Sequence, residues 1–114
     1  MREPVKDSER LKHIVEAIDN IFEFVNGVTF DEYLCNKMMR FAVVKNLENI
    51  GEASYKLTKE LRSKHAEINW RDIMDMRNVL VHGYHQIKDE KAWDTVTDDL
   101  PQLKEQIKQI LNNL

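Results

Sequence analysis

The sequence predicts an all-α protein, an up-and-down bundle of four to five helices, and three observations carry that expectation. Apolar residues recur at three- and four-residue steps through most of the chain. Capping residues stand before these stripes, and residues that end helices follow them. Only three glycines and two prolines occur in 114 residues, with a hydrophobic share of 42% and a charged share of 32%, a balance that suits amphipathic helices better than sheets or disorder. A chain this long closes one hydrophobic core and not two, so a single domain over residues 1–114 is expected.

The elements follow in order. Ser8 and Glu9 are placed to cap a first helix, whose stripe runs Leu11, Ile14, Val15, Ile18, Ile21, Phe22, Val25 until Asn26-Gly27 ends it. Thr29-Phe30-Asp31-Glu32 has capping-box form and predicts the start of a long second helix. Its stripe takes in Leu34, Met38, Phe41, Ala42, Val44, Leu47, Ala53, Leu57 and Leu61, broken by Lys45 and Glu48, so one end of this face is expected to line a polar space. Gly51 is the point where that helix bends or packs closely on a neighbour. Ser63-Lys64-His65 closes it. Asn69 caps a third helix from Trp70 and Arg71, with Ile73, Met76, Val79 and Leu80 inward and Gly83 as its stop. Asp89 caps a fourth helix with Trp93 and Val96; Pro101 either kinks it or opens a separate last helix with Leu103, Ile107, Ile110 and Leu111.

Composition excludes several function classes. With 17 basic against 20 acidic residues the net charge is −3, which argues against a broad basic nucleic-acid face and leaves room for a small, local RNA contact. The single Cys35 rules out an internal disulfide framework and points to a reducing, cytoplasmic setting. His13, His65, His82 and His85 are too scattered for a structural zinc site. No apolar run approaches the roughly 20 residues of a membrane span, and Met1 to Glu9 lacks an apolar signal core.

Chemistry concentrates in Arg77-Asn78-Val79-Leu80-Val81-His82-Gly83-Tyr84, which sets a permanent cation and a titratable base beside a phenol. Such a set suits metal-free attack of an RNA 2′-hydroxyl on its neighbouring phosphate: His82 moves the proton, Arg77 stabilises charge on phosphorus, and Asn78 orients His82 or a phosphate oxygen. On one continuous helix, Arg77 and His82 would stand ~140° apart around the axis. A cleft spanned by the long Arg side chain, or one shared between two subunits, would reunite them. The ordinary alternative pairs Arg77 with Glu52 or Asp75 and leaves His82 capping a helix C-terminus. Lys56, Lys59, Arg62 and Lys64 read as a solvated face, His85 as a loop residue, and Trp70 and Trp93 as core or dimer packing. Glu52 reads either as the group that holds Arg77 or as an internal ion-pair partner.

From Ile68-Asn69-Trp70-Arg71-Asp72-Ile73 through the Arg-x4-His-x-Tyr run to Trp93 and Leu100-Pro101-Gln102-Leu103, together with Ile50-Gly51-Glu52-Ala53, the chain resembles the HepT-like branch of the HEPN superfamily. The resemblance covers nearly the whole chain. It implies a homodimer with two motif copies in a cleft, and a metal-independent, cofactor-free ribonuclease that acts as the toxin of a type VII-like toxin–antitoxin pair. It further implies an MntA-like nucleotidyltransferase antitoxin that transfers AMP to Tyr84, with Arg77, Asn78 and His82 as the catalytic set. Adenylate would add bulk and negative charge beside Arg77 and His82, repelling an RNA phosphate. The alternative is a non-catalytic module that recruits a nucleotidyltransferase or a nucleotide.

Overall fold

The computed structural model of the chain describes the backbone of residues 6–78, 80–81 and 86–114, and the side chains of residues 6–78 and 88–114. The architecture is all-α. Helix α1 spans Asp7–Val25 and buries Leu11, Ile14, Ile18 and Ile21 completely. Ser8 is not its cap: the helix begins at Asp7, after Lys6, with no side-chain cap. The Asp7 carboxylate instead accepts from the Thr58 hydroxyl at 2.6 Å and its backbone N–H at 3.0 Å, tying the start of α1 to a distant turn. At the other end Asn26 is the C-cap and Gly27 takes φ 72°, the left-handed position that a glycine occupies without a Cβ penalty.

The Thr29–Glu32 capping box forms as expected, with Glu32 N–H donating to the Thr29 hydroxyl at 3.2 Å and Thr29 N–H to the Glu32 carboxylate at 2.9 Å. These bonds hold the Glu32 carboxyl below its ordinary pKa. The long second helix is not continuous. It divides into α2 (Phe30–Leu34), α3 (Lys37–Tyr55) and α4 (Lys59–Lys64). Asn36 caps α3 through its side-chain oxygen and Thr58 caps α4 through its hydroxyl, so two local hydrogen bonds restart the helix within one apolar stripe. As expected, α4 closes at Lys64, with His65 as its C-cap.

Asn69 caps α5 (Trp70–Met74) by accepting from Asp72 N–H at 3.1 Å. The third helix does not reach Gly83. It tightens into a 3₁₀ turn at Asp75–Asn78, and Leu80–Val81 (β1) then pairs antiparallel with Gln86–Ile87 (β2). The run Asn78-Val79-Leu80-Val81 favours this, since Asn and β-branched Val are weak helix formers and Val fits an extended backbone. Asp89 is the first residue of α6 (Asp89–Asp94) and not its cap; Lys88 is the cap, and Asp89 forms a two-pronged ion pair with Arg40 of α3 at 2.9 and 3.1 Å. A π-helical turn over Thr95–Asp99 leads without a break into α7 (Leu100–Asn112): the Leu100 N–H still bonds the Thr95 carbonyl, and Pro101, which has no N–H to give, follows in the first turn of α7.

Helix α3 is the hub, with α1 along one flank and α5 with its 3₁₀ turn on another. Asp7 bonds Thr58 and Asn20 bonds Asn46 at 3.3 Å, while Asp19 pairs with Lys104 at 2.7 Å and Lys12 lines one cavity with Asn112, so α1 runs antiparallel to both α3 and α7, as an up-and-down bundle requires. Trp70 is buried and donates its indole N–H to the Arg62 and His65 carbonyls; half-buried Trp93 joins Phe30 and Tyr33 in an aromatic cluster. Both tryptophans therefore serve packing. Leu34, Met38 and Phe41, expected in the core, are 40%, 84% and 51% exposed. Among the described residues no helix is long and apolar enough to cross a membrane.

Candidate functional site around Arg77

Arg77 lies at the end of the 3₁₀ turn, pressed onto α3 at Gly51. A Cβ added to Gly51 would stand 2.6 Å from Arg77 Cγ, 2.8 Å from Arg77 N and 2.9 Å from the Met74 carbonyl oxygen. Only a glycine lets the turn's backbone come this close, which gives the expected close packing at Gly51 its partner.

Three further contacts fix the guanidinium. Arg77 Nε donates to the Met74 carbonyl at 3.1 Å, Nη1 stands 3.7 Å from the Glu52 carboxylate, and the guanidinium lies 4.5 Å from the centre of the Tyr55 ring. Glu52 also faces Lys56 at 3.6 Å, so the carboxylate is shared between two cations. The Arg77 side chain is still 34% exposed, enough for an anion to reach it. The result is a pre-oriented cation on a polar and aromatic seat, able to hold an oxyanion without reorganising.

Asn78 goes elsewhere. Consecutive residues of a 3₁₀ turn are ~120° apart, and Asn78 lines a cavity of about 420 Å³ between α5 and α7 with Asp72, Asp75, Asp99 and Gln102. Burial, then Asp98, Asp72 and Asp94, raise the Asp99 pKa, the mark of a locally acidic space. Such a space repels a polyanion, whereas the Arg77 flank attracts one. The structure therefore brings Arg77 together with Glu52 and Tyr55, but sets Asn78 toward a different opening. His82 and Tyr84, like His85, lie outside the described residues. Since the helix ends by Asn78, the ~140° separation between Arg77 and His82 expected on one continuous helix does not apply.

Sequence reasoning foresaw Glu52 as a holder of Arg77 and missed Tyr55. A signal was present: Tyr55 stands three residues after Glu52, on the same face of α3. Opposite this flank, Arg10, His13, Asn20, Asn46, Asn49 and Lys56 line a polar groove of about 330 Å³ between α1 and α3, which Glu52 also borders. Among the described residues no three His, Cys, Asp or Glu side chains gather to hold a metal ion.

The family model for ribonuclease HepT-like proteins matches residues 14–110, which include every element of this site. The chain belongs to the ribonuclease HepT-like family. A Thermococcus cleftensis protein named "Probable ribonuclease HepT" is 42% identical over 82% of this chain and 86% of its own length. Proteins named "Putative RNase TTE0752", from Caldanaerobacter subterraneus subsp. tengcongensis, and "Putative RNase MJ1380", from Methanocaldococcus jannaschii, are 36% and 34% identical over 89% and 85% of the chain, covering 90% and 89% of their own lengths. No solved structure shows a significant match. The HepT-like assignment agrees with the all-α fold and with the resemblance carried by the Arg77–Tyr84 run.

Proposed function

We propose that this HepT-like chain is a metal-independent ribonuclease, the toxin of a HepT/MntA-type pair, working as a cytoplasmic homodimer. The observation that carries the reading is the Arg77 guanidinium, held at Met74, Glu52 and Tyr55 yet open on one side, in a chain of this family. In the reaction the RNA 2′-oxygen attacks the adjacent phosphorus as its proton leaves, and the bond to the 5′-oxygen breaks as that oxygen gains a proton. His82 serves one or both transfers, and Arg77 stabilises the added negative charge on the phosphoryl oxygens. Asn78 faces the other opening and supports this set only through the 3₁₀ turn it shares with Arg77. Tyr84 is the acceptor of AMP from an MntA-like nucleotidyltransferase, and the bulk and charge of that group silence the site.

RNA incubated with the purified protein in a chelator should be cut, and R77A and H82A should each abolish cutting with unchanged far-UV circular dichroism. Cutting that survives both changes ends the nuclease reading. After co-expression with the nucleotidyltransferase, an adenylate-sized mass increment should map to Tyr84 and vanish in Y84F.

A second reading has the same contacts in its favour: Arg77 pins the turn to α3, and the chain is a non-catalytic module that recruits a nucleotide or a nucleotidyltransferase. It predicts that R77A lowers stability, that the partner still binds, and that no RNA is cut between about pH 5 and 8, the range in which a histidine titrates.

A further inference from the structure

The exposed face of α3 carries an inference of its own. Met38, Phe41, Lys45, Glu48, Glu52 and Tyr55 lie on that helix, and all but half-buried Glu48 are exposed. At ~100° per residue the six fall within an arc of about 100°, forming one narrow stripe. It is not the core stripe, which runs through Val43, Val44, Leu47, Ile50 and Ser54 on the opposite side. The steps between its residues are 3, 4, 3, 4 and 3, the spacing of a helix-pairing seam, and they read the same in both directions.

We infer that this stripe is a two-fold interface with a second copy of the chain, its α3 running antiparallel with the axis midway between Lys45 and Glu48. That register sets Lys45 against Glu48 of the second copy and Glu48 against its Lys45, so the centre of the seam is complementary in charge on both sides of the axis. Phe41 then meets Glu52, whose carboxylate is turned toward Arg77 and Lys56 and leaves its methylene stem to the contact. Met38, at 84% the most exposed large apolar side chain among the described residues, meets the ring of Tyr55, a favourable sulfur–aromatic contact. Leu34 and Cys35 extend the apolar end. No shift of one or more residues keeps both the central charge match and the burial of Met38 and Phe41, so the seam specifies its own register.

The consequence reaches Arg77. Its stacking partner Tyr55 and its ion-pair partner Glu52 both belong to the seam, so the second copy's Met38 and Phe41 cover the outer side of the Arg77 seat and exclude water from it. A two-fold axis perpendicular to the plane of the helix pair keeps both Arg77 flanks on one side of the dimer, roughly 16 Å apart along the helices. The two seats thus open onto a common surface, each completed by the other chain. This rests on the homodimer of the proposed function and gives it an interface and a register.

The test is self-association of the full chain, measured by sedimentation equilibrium at fixed salt, with circular dichroism as the folding control. K45E or E48K alone sets like charges together at the axis and should weaken the dimer about tenfold or more. The double change K45E/E48K restores both pairs and should return the constant to within about threefold of the original. In a C35S background, M38C/Y55C should oxidise to a covalent dimer, whereas M38C alone should not, because the two copies of residue 38 stand about 25 Å apart. A monomer at every concentration, indifference to K45E, failure of the double change to restore association, or absence of the 38–55 cross-link each overturns the assignment. None of these measurements uses RNA. A dimer with this register and no cleavage sinks only the nuclease reading, and cleavage by a species that stays monomeric sinks only the interface.

Discussion

The two sides of α3 hold the protein together by different means. Toward α1, Val43, Leu47 and Ile50 are buried in one cluster with Leu11, Ile14, Ile18 and Ile21, and stability there comes from apolar area with no direction attached to it. Toward the 3₁₀ turn, Gly51, Glu52 and Tyr55 hold Arg77 by a close backbone approach, an ion pair and a ring stack. The first side loses energy in proportion to what is removed. The second loses geometry at once, because the atoms facing Gly51 include the Arg77 backbone nitrogen and the Met74 carbonyl oxygen, which cannot swing aside as a side chain can. Arg77 sits on the second kind of surface, where its position is over-determined while a third of its side chain stays accessible.

The largest stability effect is expected on the apolar side. Leu47→Ala should cost about 2–5 kcal/mol in chemical denaturation. Activity per folded molecule should change little, and a loss matching that of a site variant would break the distinction. Gly51→Ala sharpens it. In a free helix this change stabilises by about 0.5–1 kcal/mol, but here the new Cβ meets Arg77 and Met74, so a destabilisation of about 1–3 kcal/mol is expected instead. RNA cleavage should fall further than stability does, by about 100-fold, as displacing a catalytic group by an ångström would cause. A stabilised and fully active Gly51→Ala protein would show that the close approach is not needed.

Smaller effects are expected where α3 meets α6. Arg40→Ala breaks a partly buried two-pronged pair and should cost about 1–2 kcal/mol, between the values for exposed and buried bridges. Denaturation of Arg40→Ala against Asp89→Ala, with the double variant, measures the coupling. Beside that pair the Tyr33 hydroxyl is fully buried and has no hydrogen-bond partner among the described residues. Burial and then Asp89 push its pKa from 10.0 up to about 12. Because the folded-state value is the higher one, the stability tied to the neutral phenol is complete below pH 10 and is lost as pH rises through about 12, where the unfolded chain ionises first. Tyr33→Phe should be neutral or stabilising by up to about 1 kcal/mol at pH 7 and should delay alkaline unfolding. Unchanged alkaline unfolding in Tyr33→Phe would assign that transition to another group.

Much of the fold was legible because its signals are local. The Thr29–Glu32 box, the Asn69 cap and the Gly27 stop each settle within a few residues and form as expected. The breaks at Asn36 and Thr58 were hidden because a capping residue can restart a helix without interrupting the apolar period around it. The same period places Leu34, Met38 and Phe41 in the core, whereas the structure exposes them, because period marks a face as apolar but does not say what covers it. Within the candidate site, Gly51 and Glu52 stood out as a close approach and a partner for Arg77. Tyr55 did not, since a tyrosine near a helix end has many ordinary uses, and neither did the opposite orientation of Asn78, which depends on the helix tightening just before it.

By itself the sequence determined the helical class, most of the turns, and the resemblance to the HepT-like family that the Arg77–Tyr84 run helps to carry. These depend on hydrogen bonds and periodicities that act over a few residues. Only the tertiary structure decided that the flank of α3 beside Gly51 receives Arg77, and that Met38 and Phe41 are left uncovered. Those outcomes follow from competition among distant segments for the same buried surface. A close approach such as Gly51 against Arg77 exists only once the chain has folded back across the 25 residues between them.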